Sequence, residues 1–139
     1  MPLVYADSSA LVKAVREKGE EGGAALHAYL EGAELASSEL VLTEVPRALR
    51  RVAAELPSFQ LDPALQRTAA VLEAMALRPV DDALLIGAGL LAEPTLRSLD
   101  AIHVVTALHL YPIDAFVTYD ERQASVARLA GLNTVAPGV

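Results

Sequence analysis

The first stretch of the chain, "MPLVYADSSALVKAVRE" (residues 1–17), contains a short apolar run that ends on a carboxylate. The run from Leu3 to Ala6 has the length of a buried strand, and Asp7 follows it directly, ahead of a helical pattern. Open α/β sheets bind their ligands at the carboxyl ends of the strands, so Asp7 is a candidate site residue. Because Asp is also a preferred N-cap residue, capping of the next helix is an equally good interpretation of Asp7 alone.

The composition indicates one domain, residues 1–139, with an ample core, since 53% of the residues are hydrophobic. Aromatic residues make up only 4% and Trp is absent, so a stacking platform for single-stranded bases is not expected. The absence of Cys excludes thiolate metal sites, disulfides and cysteine nucleophiles, and it suits a reducing cytoplasm. Without a signal-like start or a run of roughly 18 apolar residues, we expect a cytoplasmic protein with no membrane partner.

The net charge of −7 argues against a broad phosphate-binding surface, because non-specific nucleic-acid binding depends on Lys and Arg. It does not exclude a nucleic-acid enzyme. Two divalent cations held by acids would add four positive charges, take the total from −7 to −3, and place that charge where a phosphate binds. The local sign of the charge is therefore more informative than the sum.

Strand-like and helix-like patterns alternate along the chain, which predicts an α/β fold with a mainly parallel sheet covered by helices on both faces. The segments between the strands carry apolar residues at helical spacing, which predicts helices there. After the first strand, three more are predicted, at "ELAS" (34–37), "AFVT" (115–118) and "NTVAP" (133–137), and a short "LRPV" (77–80) separates two helical patterns.

Polar residues and glycines give the expected ends of the helices. The amphipathic pattern of residues 37–56 predicts a helix with Ser37 or Ser38 as its N-cap. Gly131 is expected to close the last helix. Loops or frayed ends are expected at Gly19, Gly22, Gly23 and Gly32.

Four carboxylates fall at the ends of elements or on inward borders of helices. Asp7 and Asp120 each follow an apolar strand, and the carboxyl ends of parallel strands open at one edge of a sheet. Glu44 borders the buried face of its helix, and Asp100 lies in the first turn of a later helix. Like charges at close range repel unless cations lie between them, so convergence of these acids predicts bound cations.

Each acid taken singly also has a structural interpretation. Asp100 suits the dipole at a helix N-terminus, and Glu44 can pair with Arg47 three residues later. Asp120 can start a turn or cap the next helix. These interpretations stay open here, although none of them explains why four acids should converge.

Four blocks of the sequence carry these acids, and together they resemble the acidic blocks of PIN-domain nucleases, specifically of the VapC toxins of bacterial toxin-antitoxin pairs. The resemblance spans nearly the whole chain, and the blocks occur in the family's order. They are "YADSSALVK" (5–13), "LTEVPRAL" (42–49), "SLDAIHVVTAL" (98–108) and "VTYDERQASVARLAGLNTVAPG" (117–138).

The resemblance implies a PIN-like three-layer α/β/α fold with a parallel five-stranded sheet. It also implies Mg²⁺- or Mn²⁺-dependent cleavage of RNA, blocked by a cognate VapB-type antitoxin, and a homodimer is expected. The hydroxyls of Ser8 and Thr118 are expected beside the site. The family's catalytic and metal-binding acids correspond to Asp7, Glu44, Asp100 and Asp120.

Pro46 departs from the pattern of a continuous helix, because proline removes one N–H and clashes with the preceding turn. Either the helix kinks at Pro46 or it starts near that residue. Since Glu44 lies two residues earlier, its direction is the least defined of the four acids.

Carboxylates suit Mg²⁺, which takes oxygen ligands, keeps several waters and is usually held by one or two carboxylates plus substrate phosphate oxygens. Such an ion would generate a hydroxide for in-line attack on phosphorus and stabilise the leaving oxygen. Whether one or two ions act stays open. The candidates for contacts to substrate phosphates are Arg47, Arg50 and Arg51, for which a solvated helix face is an equal alternative.

Two further patterns suggest other chemistry. "GAGLLA" (87–92) matches a dinucleotide-binding pattern, but its periodicity favours a helix in which small residues allow close packing. His103, three residues after Asp100, is close enough in sequence to approach a metal, although contact with a metal ligand or plain packing is favoured.

The leading hypothesis is therefore an endoribonuclease toxin. A PIN-like RNA-processing nuclease without an antitoxin is the first alternative. From a different class, a non-catalytic module whose acids bind a structural cation or a basic peptide is the second.

Overall fold

The computed structural model describes residues 1–16 and 21–139, which form five strands and seven helices. None of the helices in this described part combines the length and the apolar character that a membrane crossing requires. In chain order the elements are β1 (Leu3–Ala6), α1 (Ser8–Arg16), α2 (Glu21–Leu30), β2 (Glu34–Ser38), α3 (Val41–Glu55), α4 (Leu61–Glu73), β3 (Ala76–Arg78), α5 (Asp82–Gly89), α6 (Ser98–His109), β4 (Ala115–Val117), α7 (Glu121–Leu129) and β5 (Thr134–Val135).

The five strands are parallel and lie in the order β3-β2-β1-β4-β5, so β1 is the central strand. Tyr5 in β1 lies opposite Ala36 on one side and Phe116 on the other. The chain first extends the sheet through β2 and β3 and then through β4 and β5, so its direction reverses between β1 and β4. Open α/β sheets bind ligands in the crevice at such a reversal.

Alternation of side chains along β1 divides the core into two layers. Val4 and Ala6 pack into a cluster with α1, α3 and α4, whereas Tyr5 packs into a second cluster with α6 and α7. Helix α5 packs against α6 on this second side. The predicted three-layer α/β/α fold with a parallel five-stranded sheet is confirmed.

The start of α3 differs from the prediction. Ser37 and Ser38 are not its N-caps, because β2 continues through both residues in register with β3, and α3 begins only at Val41. The Ser37 hydroxyl donates to the Ala6 carbonyl oxygen (2.6 Å), which satisfies its buried polar atom. The helix also begins ahead of Pro46, so the prediction of a start near that proline is wrong.

The glycines at the helix ends fall into two groups. Gly22 and Gly23 are helical and lie in the first described turn of α2 (Glu21–Leu30), a helix whose Leu26 is fully buried in the core. Gly32 has the positive φ of a turn, 79°, as expected, whereas Gly19 lies outside the described residues.

Gly131 ends α7 with a paired hydrogen-bond arrangement. Its φ is 95°, its N–H donates to the Arg128 carbonyl, and the Leu132 N–H donates to the Ala127 carbonyl. This pattern closes a helix on a residue in the left-handed conformation, which favours glycine. The predicted helix stop at Gly131 is confirmed.

Only the first half of the "GAGLLA" stretch is helical, because α5 ends at Gly89 and Leu90 to Ala92 lie beyond it. Residues 83–86 before the first glycine are helical, so they supply no strand for a dinucleotide fold. A Cβ at Gly87 would lie 3.0 Å from Cγ1 of Val105 in α6. The small residue therefore serves close helix packing.

Two glycine substitutions should change stability in opposite directions. Gly131→Ala is expected to lower the free energy of unfolding by about 1–2 kcal/mol, because a Cβ is disfavoured in the left-handed conformation. Gly89→Ala is the matched control: its Cβ meets nothing within 4 Å inside a helix. It should raise the free energy of unfolding by about 0.5–1 kcal/mol. Urea denaturation of both variants tests this, and a change of the same sign in both would contradict it.

Candidate active site

One cavity of about 780 Å³ opens at the carboxyl ends of β1 and β4, and its wall includes all four predicted acids, Asp7, Glu44, Asp100 and Asp120. Two of them follow the strands at the reversal of the sheet, one lies in α3, and one lies in the first turn of α6. The fold thus brings together residues that are far apart in sequence.

Asp7 is buried between β1 and α1 and accepts three hydrogen bonds. The Ser9 hydroxyl (2.7 Å) and the Ala10 N–H (3.0 Å) donate to its Oδ1 atom, and the Thr118 hydroxyl donates to its Oδ2 atom. Burial raises the pKa of the Asp7 carboxyl, and these donors oppose that rise. Because the Ala10 N–H lies in the first turn of α1, Asp7 caps this helix and also lines the cavity.

Asp120 has the same double placement at the end of β4. Its Oδ1 atom accepts from the Gln123 N–H (3.0 Å) and caps α7, as one interpretation of the sequence predicted. Its own N–H donates to the Thr118 hydroxyl (3.0 Å). The hydroxyl of Thr118 therefore joins Asp7 to the loop that carries Asp120.

The serine that contacts Asp7 is Ser9. Ser8 lines the cavity as predicted, but it is the Ser9 hydroxyl that donates to Asp7 and accepts from the Tyr119 N–H (3.0 Å). Ser8 and Ser9 are the two residues after Asp7, so the sequence did not indicate which hydroxyl would contact the carboxylate. The choice depends on the turn of α1 that points one hydroxyl back toward β4.

Asp100 is half-buried in the first turn of α6, and its carboxylate accepts no hydrogen bond from the described residues. Burial raises the pKa of this carboxyl, and the negative charges of Asp120 and Glu44 raise it further. His103 and Arg97 act in the opposite direction and lower the pKa. A helix dipole alone would lower the pKa of an acid in a first turn. Burial and the charges of Asp120 and Glu44 therefore act on the pKa of Asp100 in the direction opposite to the helix dipole.

Glu44 points toward α6, which resolves the direction that Pro46 left undefined. Its Oε1 atom lies 2.6 Å from Nε2 of His103, a fully buried side chain. Nδ1 of the same ring lies 2.7 Å from the Tyr5 hydroxyl. His103 therefore contacts a candidate metal ligand, the first of the two roles favoured for it.

Three arginines, one outside the predicted set, line the cavity together with the acids. Arg47 and Arg51, four residues apart on α3, line the cavity, whereas Arg50 lies outside it. Arg97, directly before α6, also lines the cavity and was missed in the sequence. Its only signal was its position three residues before Asp100.

The carboxylates fit a hard divalent cation with few protein ligands. In residues 1–16 and 21–139, no three His, Asp or Glu side chains stand close enough together to hold a metal ion by themselves. Mg²⁺ usually takes only one or two carboxylates and completes its octahedron with waters and phosphate oxygens. The cavity has room for such ligands, and a cation there would relieve the repulsion that Asp100 receives from its neighbours.

Removing the charge of Asp100 should stabilise the metal-free protein. Since the pKa of Asp100 is raised above its ordinary value of 3.8, the parent loses stability as pH rises through the raised pKa. Asp100→Asn removes this loss, so its melting temperature in chelator should match or exceed that of the parent at pH 7. The difference should shrink as pH falls toward and below the ordinary pKa of 3.8, because protonation removes the charge from the parent carboxyl in both states.

Asp82→Asn is the matched control for Asp100→Asn. Asp82 also lies in a first helical turn, that of α5, but outside the cavity. Its replacement should lower stability by about 0.3–1 kcal/mol at neutral pH, because only the helix dipole is affected. If Asp100→Asn instead loses stability as the control does, the dipole accounts for Asp100.

The sequence matches the PIN domain family over residues 4–129. It is 35% identical to Ribonuclease VapC35 of Mycobacterium tuberculosis over 142 residues, 98% of each chain. Ribonuclease VapC46 of the same species is 38% identical over 143 residues, 99% of each chain. Ribonuclease VapC47, also from this species, is 30% identical over 142 residues, again 98% of each chain.

Two solved structures share the fold. VapC20 of Mycobacterium tuberculosis, described as a Sarcin-Ricin loop cleaving toxin, superimposes with a TM-score of 0.70 and 17% identity, covering 96% of this chain and 99% of that one. VapBC2 from Rickettsia felis, crystallised with a DNA fragment from its promoter, gives a TM-score of 0.68 and 13% identity over 96% and 97% of the two chains. The family match and the full-length relatives confirm the resemblance of the four acidic blocks: this chain belongs to the PIN-domain family and, within it, to the VapC proteins.

Proposed function

We propose that this protein is a metal-dependent endoribonuclease toxin that hydrolyses phosphodiester bonds in cytoplasmic RNA and is inhibited by a VapB-type antitoxin. The observation that supports this most directly is the cavity lined by four carboxylates at the reversal of the sheet. The curated relatives over the full length of the chain are named ribonucleases. The proposal treats residues 1–139 as a single PIN domain.

The four acids would hold one or two Mg²⁺ or Mn²⁺ ions. When bound, such an ion supplies the positive charge that activates water and stabilises charge on the phosphate. Asp100 is the acid best placed to gain from a cation, because its neighbours repel it and no donor in residues 1–16 and 21–139 forms a hydrogen bond to its carboxylate. Asp7 and Asp120 present carboxylates that α1 and α7 already orient. One carboxylate of the set would accept a proton from the attacking water.

The arginines offer a local positive charge that the net charge of −7 conceals. We assign Arg47, Arg51 and Arg97 to phosphates of the RNA on either side of the scissile bond, since they line the same cavity as the acids. Arg50, which was predicted from the sequence to contact phosphates, is not included because it does not line the cavity. Guanidinium groups suit the role, since their planar donors match phosphate oxygens.

RNA cleavage should depend on the divalent ion and on Asp120. Purified parent should cut RNA with Mg²⁺ or Mn²⁺ and stop in chelator. Asp120→Asn should cut at least about 10- to 100-fold more slowly, the cost typical of losing even an indirect metal contact. Because Asn is as good an N-cap as Asp, α7 should stay intact, and rates from gel assays at several Mn²⁺ concentrations measure the effect.

Asp81→Asn is the matched control, since Asp81 caps α5 by accepting from the Leu84 N–H and lies outside the cavity. It should cut RNA at the parental rate. Cleavage that resists chelator and persists in Asp120→Asn would contradict the proposed chemistry and indicate a contaminant. Binding of Mn²⁺ without cleavage of any RNA would support a non-catalytic cation module instead.

An acidic cavity that binds metal should also accept Arg or Lys from an antitoxin, because a cation from the partner relieves the same repulsion. The structure of VapBC2 from Rickettsia felis, which shares this fold, supports a VapB-type partner for this chain. In the proposed complex, an extended basic segment of the antitoxin occupies the cavity and competes with RNA. The predicted homodimer stays a prediction.

Neutralising that segment should abolish inhibition. An antitoxin whose segment has every Arg and Lys replaced by Gln should leave RNA cleavage by this protein uninhibited, while the unmodified antitoxin raises the apparent KM for RNA. Replacing the same number of basic residues outside the segment is the control. Full inhibition by the neutralised segment would exclude occupation of the cavity by its basic side chains.

A further inference from the structure

A chain of three hydrogen-bonding side chains leads from the cavity to the centre of the sheet. Glu44 on α3 lines the cavity, and its Oε1 atom lies 2.6 Å from Nε2 of His103 on α6. The Tyr5 hydroxyl on β1 lies 2.7 Å from Nδ1 of the same ring. The Glu44 side chain is 16% exposed, whereas His103 is completely buried, so only the carboxylate end of the chain reaches solvent.

The chemistry of the three groups sets the direction of the hydrogen bonds. An ionised carboxylate only accepts, so Nε2 of His103 is the donor to Glu44. In a neutral ring, Nδ1 is then the acceptor, and the Tyr5 hydroxyl donates to it. The tyrosine therefore favours the tautomer that serves the carboxylate.

Ring packing holds the histidine in place. The Tyr5 ring stacks on Phe116 of β4, with ring centroids 5.2 Å apart and an interplanar angle of 5°. The His103 ring meets Tyr5 edge-on, with centroids 5.9 Å apart and an angle of 76°. Tyr5, Phe116 and His103 are each 0% exposed, so the ring has little freedom to turn.

Glu44 is thus tied to the same two strands that carry the aspartates. β1 ends at Asp7 and β4 leads to Asp120, while Tyr5 and Phe116 lie within those strands. The backbone of α3 is continuous from Val41 to Glu55, although Pro46 removes one helical N–H donor two residues after Glu44. A helical backbone leaves the end of a Glu side chain free to rotate, and the contact with His103 orients the Glu44 carboxylate.

We infer that His103, oriented by Tyr5, is a positioning residue that fixes the Glu44 carboxylate for cation binding. The inference rests on the proposed function, since it takes Glu44 as a metal ligand. One lone pair of Oε1 accepts from His103, and the remaining lone pairs of the carboxylate serve the cation. Hydrogen bonds to ligating carboxylates typically change metal affinity or activity by about 10- to 100-fold when removed.

The dissociation constant for Mn²⁺, measured from the free-ion signal in electron paramagnetic resonance, tests this without reference to catalysis. His103→Leu should raise it by about 10- to 100-fold. His103→Gln, whose amide N–H reaches toward the same acceptor, should recover most of the affinity. Tyr5→Phe keeps the stack on Phe116 and removes only the hydroxyl, so it should raise the constant less than His103→Leu does. His109→Leu, an exposed position on the same helix, is the control and should change nothing.

A double-substitution cycle separates positioning from a purely structural role. In a Glu44→Ala background, His103→Gln and Tyr5→Phe should have no further effect on Mn²⁺ affinity, because the carboxylate through which they act is gone. In the Glu44-containing variants, RNA cleavage lost at low Mn²⁺ should return when Mn²⁺ exceeds the raised dissociation constant. A general packing defect would not be rescued by the ion.

The outcomes distinguish this inference from the proposed function. If the parent binds Mn²⁺ and cuts RNA but Tyr5→Phe and His103→Leu keep the parental dissociation constant, the positioning role is wrong and the nuclease proposal stands. Should His103→Leu fail to fold, the Tyr5→Phe constant decides in its place, because a parental value in Tyr5→Phe contradicts the positioning role. If the parent binds no Mn²⁺, the proposed function fails and the inference fails with it.

Discussion

A buried carboxylate at the end of the central strand is the constraint on which the rest of the site depends. Asp7 is 1% exposed, and a charge in such a place is tolerated only with strong hydrogen-bond donors around it. Its donors come from α1, through Ser9 and Ala10, and from the residue after β4, Thr118. Satisfying one carboxylate therefore fixes the relative positions of two strands and a helix.

From the sequence, Asp7 and Asp120 could each be interpreted as a helix cap or as a site residue. The structure shows that the two interpretations are compatible. Asp7 and Asp120 each cap the helix that follows their strand, and each lines the cavity. In a strand-helix unit, the turn that exposes a side chain at the carboxyl edge of the sheet is also the turn that leaves helical N–H groups unpaired. One aspartate meets both needs, so capping is no argument against a place in the site.

Much of the fold was readable from the sequence, because apolar runs and helical periodicity are local signals. Strand β1 was predicted with its observed bounds, and the end of α7 at Gly131 followed from the conformation that glycine favours. The start of α3 was not readable, since β2 is prolonged through Ser38 by pairing with β3, a strand far along the chain. The order of the strands in the sheet determines which strands pair. The local pattern of apolar residues carries no information about that order.

The site was readable in its acids but not in the contacts that orient them. The convergence of the four carboxylates on one cavity was predictable because each lies at an element end or helix border, whereas Ser9 had no signal and Arg97 had only its position before Asp100. The pair Glu44 and His103 joins residues 59 apart in sequence, and no spacing rule reaches that far. Such contacts depend on how α3 and α6 meet across the end of the sheet.

The carboxylates differ in how firmly the protein holds them, and this difference follows from their neighbours. Asp7 has three donors, Asp120 has a helix end and Glu44 has His103, whereas Asp100 has neighbouring charges and no hydrogen bond from the described residues. Three acids are thus oriented before any cation arrives, and the fourth is left with electrostatic repulsion to relieve. Preorganised ligands reduce the ordering that binding requires, while an unrelieved charge supplies attraction for a cation. In the proposed metal site, the same side chains that cap helices and join strands would therefore supply both the geometry and the attraction that a cation requires.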